Sequence, residues 1–269
     1  MTAAAPVRSS RPVKPRRSMA IPIGLAVFVV ITWLALSEQF GIGFDVLALI
    51  EDIARGRGIL AELLSPNWSF VPRTAEPMIE TVQIAILGAV IGCSIALPVS
   101  FLASRVTARN RGVLGVTRTV LSVVRAIPDI LWALLFVAAV GIGVLPGILA
   151  LVFFNIGVVV KLLSETIDGV DPGPIEAARA SGANGFQSVR WAVLPQVLPN
   201  YVAYSLYAFE LNIRASTVLG VVGAGGIGNM LFTQYRFFNW SNVSVIVIEL
   251  FVLVILIELV SIQLRRRLV

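Results

Sequence analysis

The feature that most constrains this chain is the length of its uncharged apolar segments. Residues 81–104 contain no charged side chain, and neither do residues 20–36 or residues 130–160. A helix needs about 20 apolar residues to cross the hydrocarbon core of a bilayer. Only 13% of the whole chain is charged, which is about half the fraction of a typical soluble domain. These segments therefore predict an integral membrane protein.

Six transmembrane helices account for the apolar segments. Residues 130–160 are too many for one helix, and the sequence GIGVLPG in their middle predicts a tight turn between two helices. We therefore expect the third helix to begin near residues 114–119 and to include Arg125 and Asp129. The fourth is expected to continue beyond Lys161. The remaining four are expected at residues 20–36, 81–104, 200–222 and 243–264.

The basic residues predict which side of the membrane each loop faces, because cytoplasmic loops are rich in Lys and Arg. Most of them precede the first helix, follow the sixth, or fall between the second and third or the fourth and fifth. Both termini are therefore expected in the cytoplasm, and we interpret the net charge of +6 as topology and lipid contact, not nucleic-acid binding.

The expected organisation along the chain follows from this topology. It comprises a disordered basic arm at 1–18, the first transmembrane helix at 19–37, an extracytoplasmic segment at 38–77 with a short helix around 46–64, and a helical core at 78–265.

Three pairs of opposite charges stand four residues apart in or near the expected helices, a spacing that places both members on one helix face. They are Arg125 with Asp129, Lys161 with Glu165, and Glu210 with Arg214. Pairing offsets the cost of a charge in the membrane, which is about 2.5–3.5 kcal/mol on insertion scales. The Lys161 pair could simply neutralise a helix end. The Glu210 pair is expected deepest, where charges usually line a pathway or face a partner helix.

The side chains most used in catalysis are scarce. The chain has no histidine, which removes histidine-based triads and the commonest general base. Its one cysteine, Cys93, lies in an apolar segment, where we expect it to pack between helices. We expect no cofactor, no metal site and no enzymatic activity.

The loop between the fourth and fifth helices is predicted to be organised. Asp171 can cap a helix whose first turn tolerates two prolines. Gly182 can end that helix, and Asn184 can begin a second one. Pro195 and Pro199 are then expected to separate this second helix from the fifth transmembrane helix. The predicted result is a rigid helix–glycine–helix element at the membrane surface.

The same loop, residues 170–199, carries a recognisable motif. Its residues are Glu176, Ala177, Ala178, Gly182, Leu194 and Pro195. Their spacing resembles the EAA loop of ABC importer permeases, although Ala192 stands where that family has isoleucine. In that family the loop docks onto a cytoplasmic ATPase. The resemblance therefore implies a type I ABC importer permease of MetI-like architecture, coupled to its ATPase through this loop.

The resemblance covers about residues 75–265 and includes the Arg-Ala-Ile-Pro of 125–128 and the segment from Glu210 to Gly220. Together with the following GAGGIG, it is similar to the phosphonate-type permeases. It implies a permease homodimer in a bacterial cytoplasmic membrane, two ATPase subunits and an extracytoplasmic binding protein. The implied substrate is phosphonate, phosphite or phosphate.

An oxyanion pathway would give the deep charges a role, because arginine can hold a phosphonate group through two hydrogen bonds. The candidate pathway and gate residues are Arg125, Lys161, Glu210, Asn212, Arg214, Ser216, Gly223, Gly225, Gly226 and Gly228. Each cation has an acid four residues away, so a positive potential is not assured. A permease for another small solute, such as methionine or a metal chelate, and a secondary transporter remain alternatives. A secondary transporter would have no use for the EAA loop.

The sequence GAGGIG at residues 223–228 also matches the glycine spacing of a dinucleotide-binding turn. That function requires a strand–helix–strand unit of about 30 residues around the glycines. Here an apolar transmembrane helix follows instead, and the charge distribution places the glycines at the outer end of the fifth helix. They predict a re-entrant turn beside the pathway, or alternatively a plain turn that allows close helix packing.

Overall fold

The computed structural model describes residues 19–37 and 56–266. Helices, turns and short connections make up these two ranges, and no strand occurs in either. This confirms the predicted all-α fold. The predictions for the arm at 1–18 and for residues 38–55 lie outside the described residues. The chain divides into two units, Met1–Gly58 and Ile59–Val269.

The first unit contains helix α1, Ala20–Leu36, with the bounds that the sequence predicts. Large apolar side chains such as Ile21, Phe28 and Trp33 are exposed around its whole circumference. A helix that is apolar on every face is suited to lipid or to a protein interior.

Ten further helices lie within residues 56–266. They are α2 (56–63), α3 (Val71–Ala103), α4 (Arg111–Ala126), α5 (Asp129–Val140), α6 (Val144–Asp168), α7 (Pro172–Ala180), α8 (Gly185–Ser188), α9 (Leu194–Val221), α10 (Gly226–Arg236) and α11 (Trp240–Arg265). The predicted turn between the third and fourth transmembrane helices forms between α5 and α6, where Gly141 and Gly143 both have positive φ.

Within the described residues, three helices are long and apolar enough to cross a membrane: Trp68–Ala103, Val144–Asp168 and Trp240–Arg265. Two bent helix pairs raise the number to five if each pair is one span. The apolar part of α1 is shorter than these. Helix length and composition therefore identify three to five candidate spans among the described residues, and the number six stays a prediction.

The third predicted helix is not continuous, because α4 and α5 meet at an angle of 88°. Ile127 is extended, with ψ 120°, and Pro128 precedes the first turn of α5. Proline cannot donate a hydrogen bond and disfavours helical backbone at the residue before it. Arg125 and Asp129 consequently lie on different helices. The second predicted helix also differs, since α3 begins at Val71, well before residue 81.

The core of the second unit is built on α3, α6 and α9. Helices α3 and α6 run parallel to each other. Asn155 contacts Gly88 within the two helices, and Asp168 contacts Ser104 where both helices end. Helix α9 runs antiparallel to them, since Tyr201 donates to the carbonyl of Cys93 and Asn212, further along α9, donates to the carbonyl of Ala85, earlier in α3. We call the end where α6 meets α7 the loop end, and the end where α9 meets α10 the opposite end.

Candidate coupling loop and translocation pathway

Helix α7 is capped and anchored at the loop end. The Asp171 carboxylate accepts a hydrogen bond from the Gly173 N–H at 2.9 Å, which is the predicted cap. Ile175 is buried in a cluster with Leu163 of α6 and Val197 of α9. Because one apolar side chain joins α7 to two long helices, α7 is held against both.

The second half of the loop also begins as predicted. Gly182 has φ +83° just after α7 ends. Asn184 and Gln187 then form a reciprocal capping box at 2.8 and 2.9 Å, which starts α8. This confirms the predicted helix–glycine–helix form.

The predicted break before the fifth transmembrane helix is wrong. Helix α8 passes through a π-helical turn at Val189–Val193 directly into α9. A proline in the first turn of a helix needs no N–H donor, so Pro195 fits at the start of α9. The Gln196 side chain also donates to the Ala192 carbonyl at 2.7 Å, inside this turn. Helix α8 therefore continues into α9 through helical backbone, with no loop between them.

The loop exposes a small apolar surface that sequence reasoning missed. Phe186 on α8 is 74% exposed and Trp191 in the π-helical turn is 71% exposed. The guanidinium of Arg190 lies 5.4 Å from the centre of the Trp191 ring. Glu176 and Ala177 are also exposed. The sequence signal that could have found this surface is the presence of two large aromatic residues in the loop.

Glu210 holds two arginines at once. It is buried, with 7% of its surface exposed. Its Oε1 accepts from Nη2 of Arg214 at 3.1 Å, which is the expected pair. Its Oε2 accepts from Nη2 of Arg265 at 2.9 Å, a contact between α9 and α11 that the sequence did not reveal. The three groups together carry one excess positive charge.

Asn212 and Ser216, two of the candidate pathway residues, are buried inside the bundle. Asn212 Nδ2 donates to the carbonyl of Ala85 on α3 at 3.1 Å, while its Oδ1 is buried without a hydrogen-bond partner. Ser216 donates to the carbonyl of Ile213 within α9. Both side chains contribute to packing between and within helices in this structure.

Of the two ion pairs expected near α4 and α6, one forms and the other does not. Lys161 pairs with Glu165 on α6. Arg125 and Asp129 do not pair, because the bend at Pro128 separates them. Arg125 instead donates from Nε to the carbonyl of Leu121 at 3.4 Å, and its stem passes over Gly157 of α6. Arg125 and Lys161 both line a cavity between α4 and α6.

The glycine-rich segment forms the turn at the opposite end. Gly223, Gly225 and Gly226 have φ of 88°, 80° and 73°, a region that other residues avoid. The Gly143 N–H donates to the Gly223 carbonyl at 2.9 Å, which ties this turn to the one before α6. Since neither described range contains a strand, the dinucleotide-binding interpretation lacks its required unit. The segment is a helix–turn–helix joint with a bend of 44°.

A polar cluster at the loop end was also missed. Asp168, the last residue of α6, accepts from Ser104 Oγ and from the Arg105 N–H, both at 2.6 Å. Its other oxygen accepts from Nη2 of Arg118 on α4 at 2.9 Å. Arg118 also donates from Nε to the carbonyl of Ala103, the last residue of α3. This cluster joins the ends of α3 and α6 to the side of α4.

An all-helical bundle of long apolar helices, with a capped and anchored loop at one end, is the architecture expected of a membrane transport permease. The chain belongs to the family of binding-protein-dependent transport system inner membrane components, which its residues 88–269 match. The predicted family and the predicted permease function are confirmed.

Two curated relatives extend this match over most of the chain. The phosphite transport system permease protein PtxC of Stutzerimonas stutzeri is 39% identical over 222 residues, covering 82% of this chain and 81% of that protein. The phosphate-import permease protein PhnE of Mycolicibacterium smegmatis is 38% identical over 224 residues, covering 83% of this chain and 42% of that protein.

A solved structure has the same fold. A chain from inward-facing conformations of the MetNI methionine ABC transporter superposes with a TM-score of 0.67 and 23% identity. The match covers 76% of this chain and 99% of that chain. This confirms the MetI-like architecture.

Proposed function

We propose that this chain is the permease subunit of an ATP-driven importer for a phosphorus oxyanion: phosphite, phosphonate or phosphate. The observation that carries the choice of substrate is the identity of 39% over 82% of the chain with a phosphite transport permease. The residues are compatible with an anion, since Glu210 is held by two arginines and Arg125 has no carboxylate partner among the described residues.

The loop end is the cytoplasmic side in this proposal. The permease dimer binds two ATPase subunits, one on the loop of each copy, against Glu176, Ala177, Ala178, Gly182, Leu194 and Pro195, with Phe186 and Trp191 as added contacts. The fixed position of Ile175 between α6 and α9 supports this role, because a push on α7 reaches both long helices. A binding protein delivers the anion at the opposite end, and a second copy of this chain completes the pathway within a bacterial cytoplasmic membrane.

The pathway runs beside Arg125, Lys161 and the Glu210–Arg214 pair. Asn212 and Ser216 support it from inside the bundle. The glycine turn at Gly223, Gly225, Gly226 and Gly228 acts as its outer gate.

Uptake by cells tests the substrate. In a strain whose other phosphorus importers are deleted, we expect this permease, expressed with its ATPase and binding protein, to support growth on phosphite, methylphosphonate or phosphate. Uptake of the labelled form of whichever anion supports growth should be reduced by an excess of the same unlabelled anion, and excess methionine should have no effect. Methionine uptake without growth on any of the three phosphorus sources would contradict the proposal.

Substitution of Phe186 tests the coupling loop. Its side chain is 74% exposed, so Phe186→Ala removes little folded-state packing. We expect the substitution to weaken association with the ATPase about tenfold, the usual effect of truncating an aromatic anchor at an interface. Co-purification of the ATPase with the tagged permease and transport-coupled ATP hydrolysis are the measurements.

A matched control lies beyond the end of α10. Phe237 is 72% exposed, so Phe237→Ala removes the same side chain from a similar environment away from the loop. We expect this variant to retain the ATPase at the wild-type level. Equal retention of the ATPase by Phe186→Ala and the wild type would remove Phe186 from the docking surface.

A further inference from the structure

A cavity of about 320 Å³ opens between α4 and α6 at the loop end. Four of the side chains that line it are basic and two are acidic: Arg105, Arg118, Arg125, Lys161, Glu165 and Asp168. Its volume falls within the range of about 300–1,000 Å³ that is usual for small-ligand sites. The cavity therefore combines ligand size with an excess of positive charge.

The two acids are already engaged by neighbouring groups. Asp168 accepts from Ser104, from the Arg105 N–H and from Arg118, while Glu165 pairs with Lys161. The positive charge that these pairs leave unmatched is on the side chains of Arg105 and Arg125, neither of which forms an ion pair with another described residue.

Arg125 also lines a second cavity, of about 340 Å³, at the bend between α4 and α5. That cavity is mostly apolar, with Trp132 and Phe153 in its wall, and it also contains Asp129. Arg125 lines both cavities, and Gly157 of α6 leaves room for its stem. A Cβ at residue 157 would lie 2.9 Å from Arg125 Cγ.

We infer that the cavity between α4 and α6 binds a tetrahedral phosphorus oxyanion, with Arg125 as its principal donor and Arg105 and Lys161 as further cations. The identity of the anion as transported solute rests on the proposed function. A phospholipid headgroup presents the same phosphate chemistry, and basic pockets between helices at the cytoplasmic side are suited to such headgroups. Glu165 opposes binding, because its carboxylate occupies Lys161 and repels the anion.

Two substitutions with opposite expected effects test this site. The purified permease–ATPase complex in phosphatidylcholine nanodiscs, without nucleotide, is titrated with phosphite by calorimetry. Arg125→Gln is expected to weaken phosphite binding about tenfold, through the loss of a charge-assisted hydrogen bond. Glu165→Gln is expected to tighten it roughly threefold, since it removes a nearby negative charge and frees Lys161. A variant that merely folds poorly cannot produce this gain.

Arg111 supplies the control. It lies at the start of α4 outside the cavity, so Arg111→Gln removes a charge from the same helix without altering the site. Phosphite binding should be unchanged in this variant. A loss equal to that in Arg125→Gln would overturn the inference, because general surface charge would then explain both.

A second arm separates the two sources of the oxyanion. The complex is exchanged into nanodiscs of equal parts phosphatidylcholine and phosphatidylglycerol, and retained lipid is counted by native mass spectrometry. Phosphite binding that follows both substitutions supports a solute site. Phosphatidylglycerol that is retained by the wild type and lost from Arg125→Gln supports a headgroup site with the same donors. If neither phosphite binding nor lipid retention responds to either substitution, the cavity is not an oxyanion site.

The result is separable from the proposed function. Normal phosphite uptake by cells carrying Arg125→Gln, with unchanged phosphite binding, would refute the site and leave the transport function intact. Binding that follows both substitutions in a complex that imports no phosphorus oxyanion would refute the transport function and retain the site.

Discussion

Replacing Glu210 by alanine is expected to destabilise the folded permease by about 1.5–3 kcal/mol, the usual net contribution of hydrogen bonds to a charged group. The carboxylate is buried and accepts from both Arg214 and Arg265. Its loss leaves two guanidinium groups with no carboxylate between α9 and α11. We expect a large drop in the midpoint of thermal unfolding in detergent and a lower yield of folded protein from membranes.

Glu165 provides the matched comparison. Glu165 also pairs with a cation four residues away, Lys161, but both side chains of this pair are about half exposed. Glu165→Ala should therefore change stability by no more than about 0.5 kcal/mol. The double variant Glu210→Ala, Arg265→Ala should recover part of the loss, because one uncompensated charge is removed. Equal unfolding midpoints for Glu210→Ala and Glu165→Ala would show that the Glu210 cluster stabilises the fold no more than the exposed Lys161–Glu165 pair does.

Gly228→Ala is expected to abolish uptake and to destabilise the bundle by about 1–3 kcal/mol or more, the usual cost of overpacking. A Cβ at residue 228 would lie 1.9 Å from the carbonyl oxygen of Thr217 and 2.8 Å from its carbonyl carbon. Both are backbone atoms of α9, so no side-chain rotation relieves the contact. Helix α10 must move away from α9. Labelled phosphate uptake and thermal unfolding of the purified protein measure the two effects.

The control is a glycine in open space. A Cβ at Gly115, within α4, would have no atom within 4 Å. Gly115→Ala should be neutral or stabilising by up to about 1 kcal/mol, because alanine is the better helix former. If Gly228→Ala retained wild-type uptake and unfolding, close contact between α9 and α10 would not be required at this turn.

The sequence predicted correctly those features that depend on neighbouring residues, such as helix caps. The caps at Asp171 and Asn184 depend only on neighbouring residues, and both form as predicted. The glycine-rich segment fails as a dinucleotide-binding turn because a helix, not a strand, lies on each side of it. That alternative could be weighed from the sequence, since the flanking segments are long and apolar.

Other features depend on contacts between distant residues or on competition between local signals. Arg265 reaches Glu210 across 55 positions of sequence, and no spacing rule connects them. Ser104 and Arg118 converge on Asp168 from two other helices for the same reason. At Pro128 the four-residue charge spacing favoured a continuous helix, but the missing N–H and the extended Ile127 broke it. At Pro195 the reverse occurred, because the π-helical turn ends just before α9 and leaves the proline in the first turn of that helix.

The cluster at Asp168 connects the loop to three helices of the bundle, α3, α4 and α6. Asp168 lies only three residues before the Asp171 cap of α7, and it is cross-linked to the ends of α3 and to α4. At the other end of the loop, α8 continues through its π-helical turn into α9 without an intervening loop. If the loop docks onto an ATPase as proposed, a displacement of the loop would therefore reach α3, α4, α6 and α9 together.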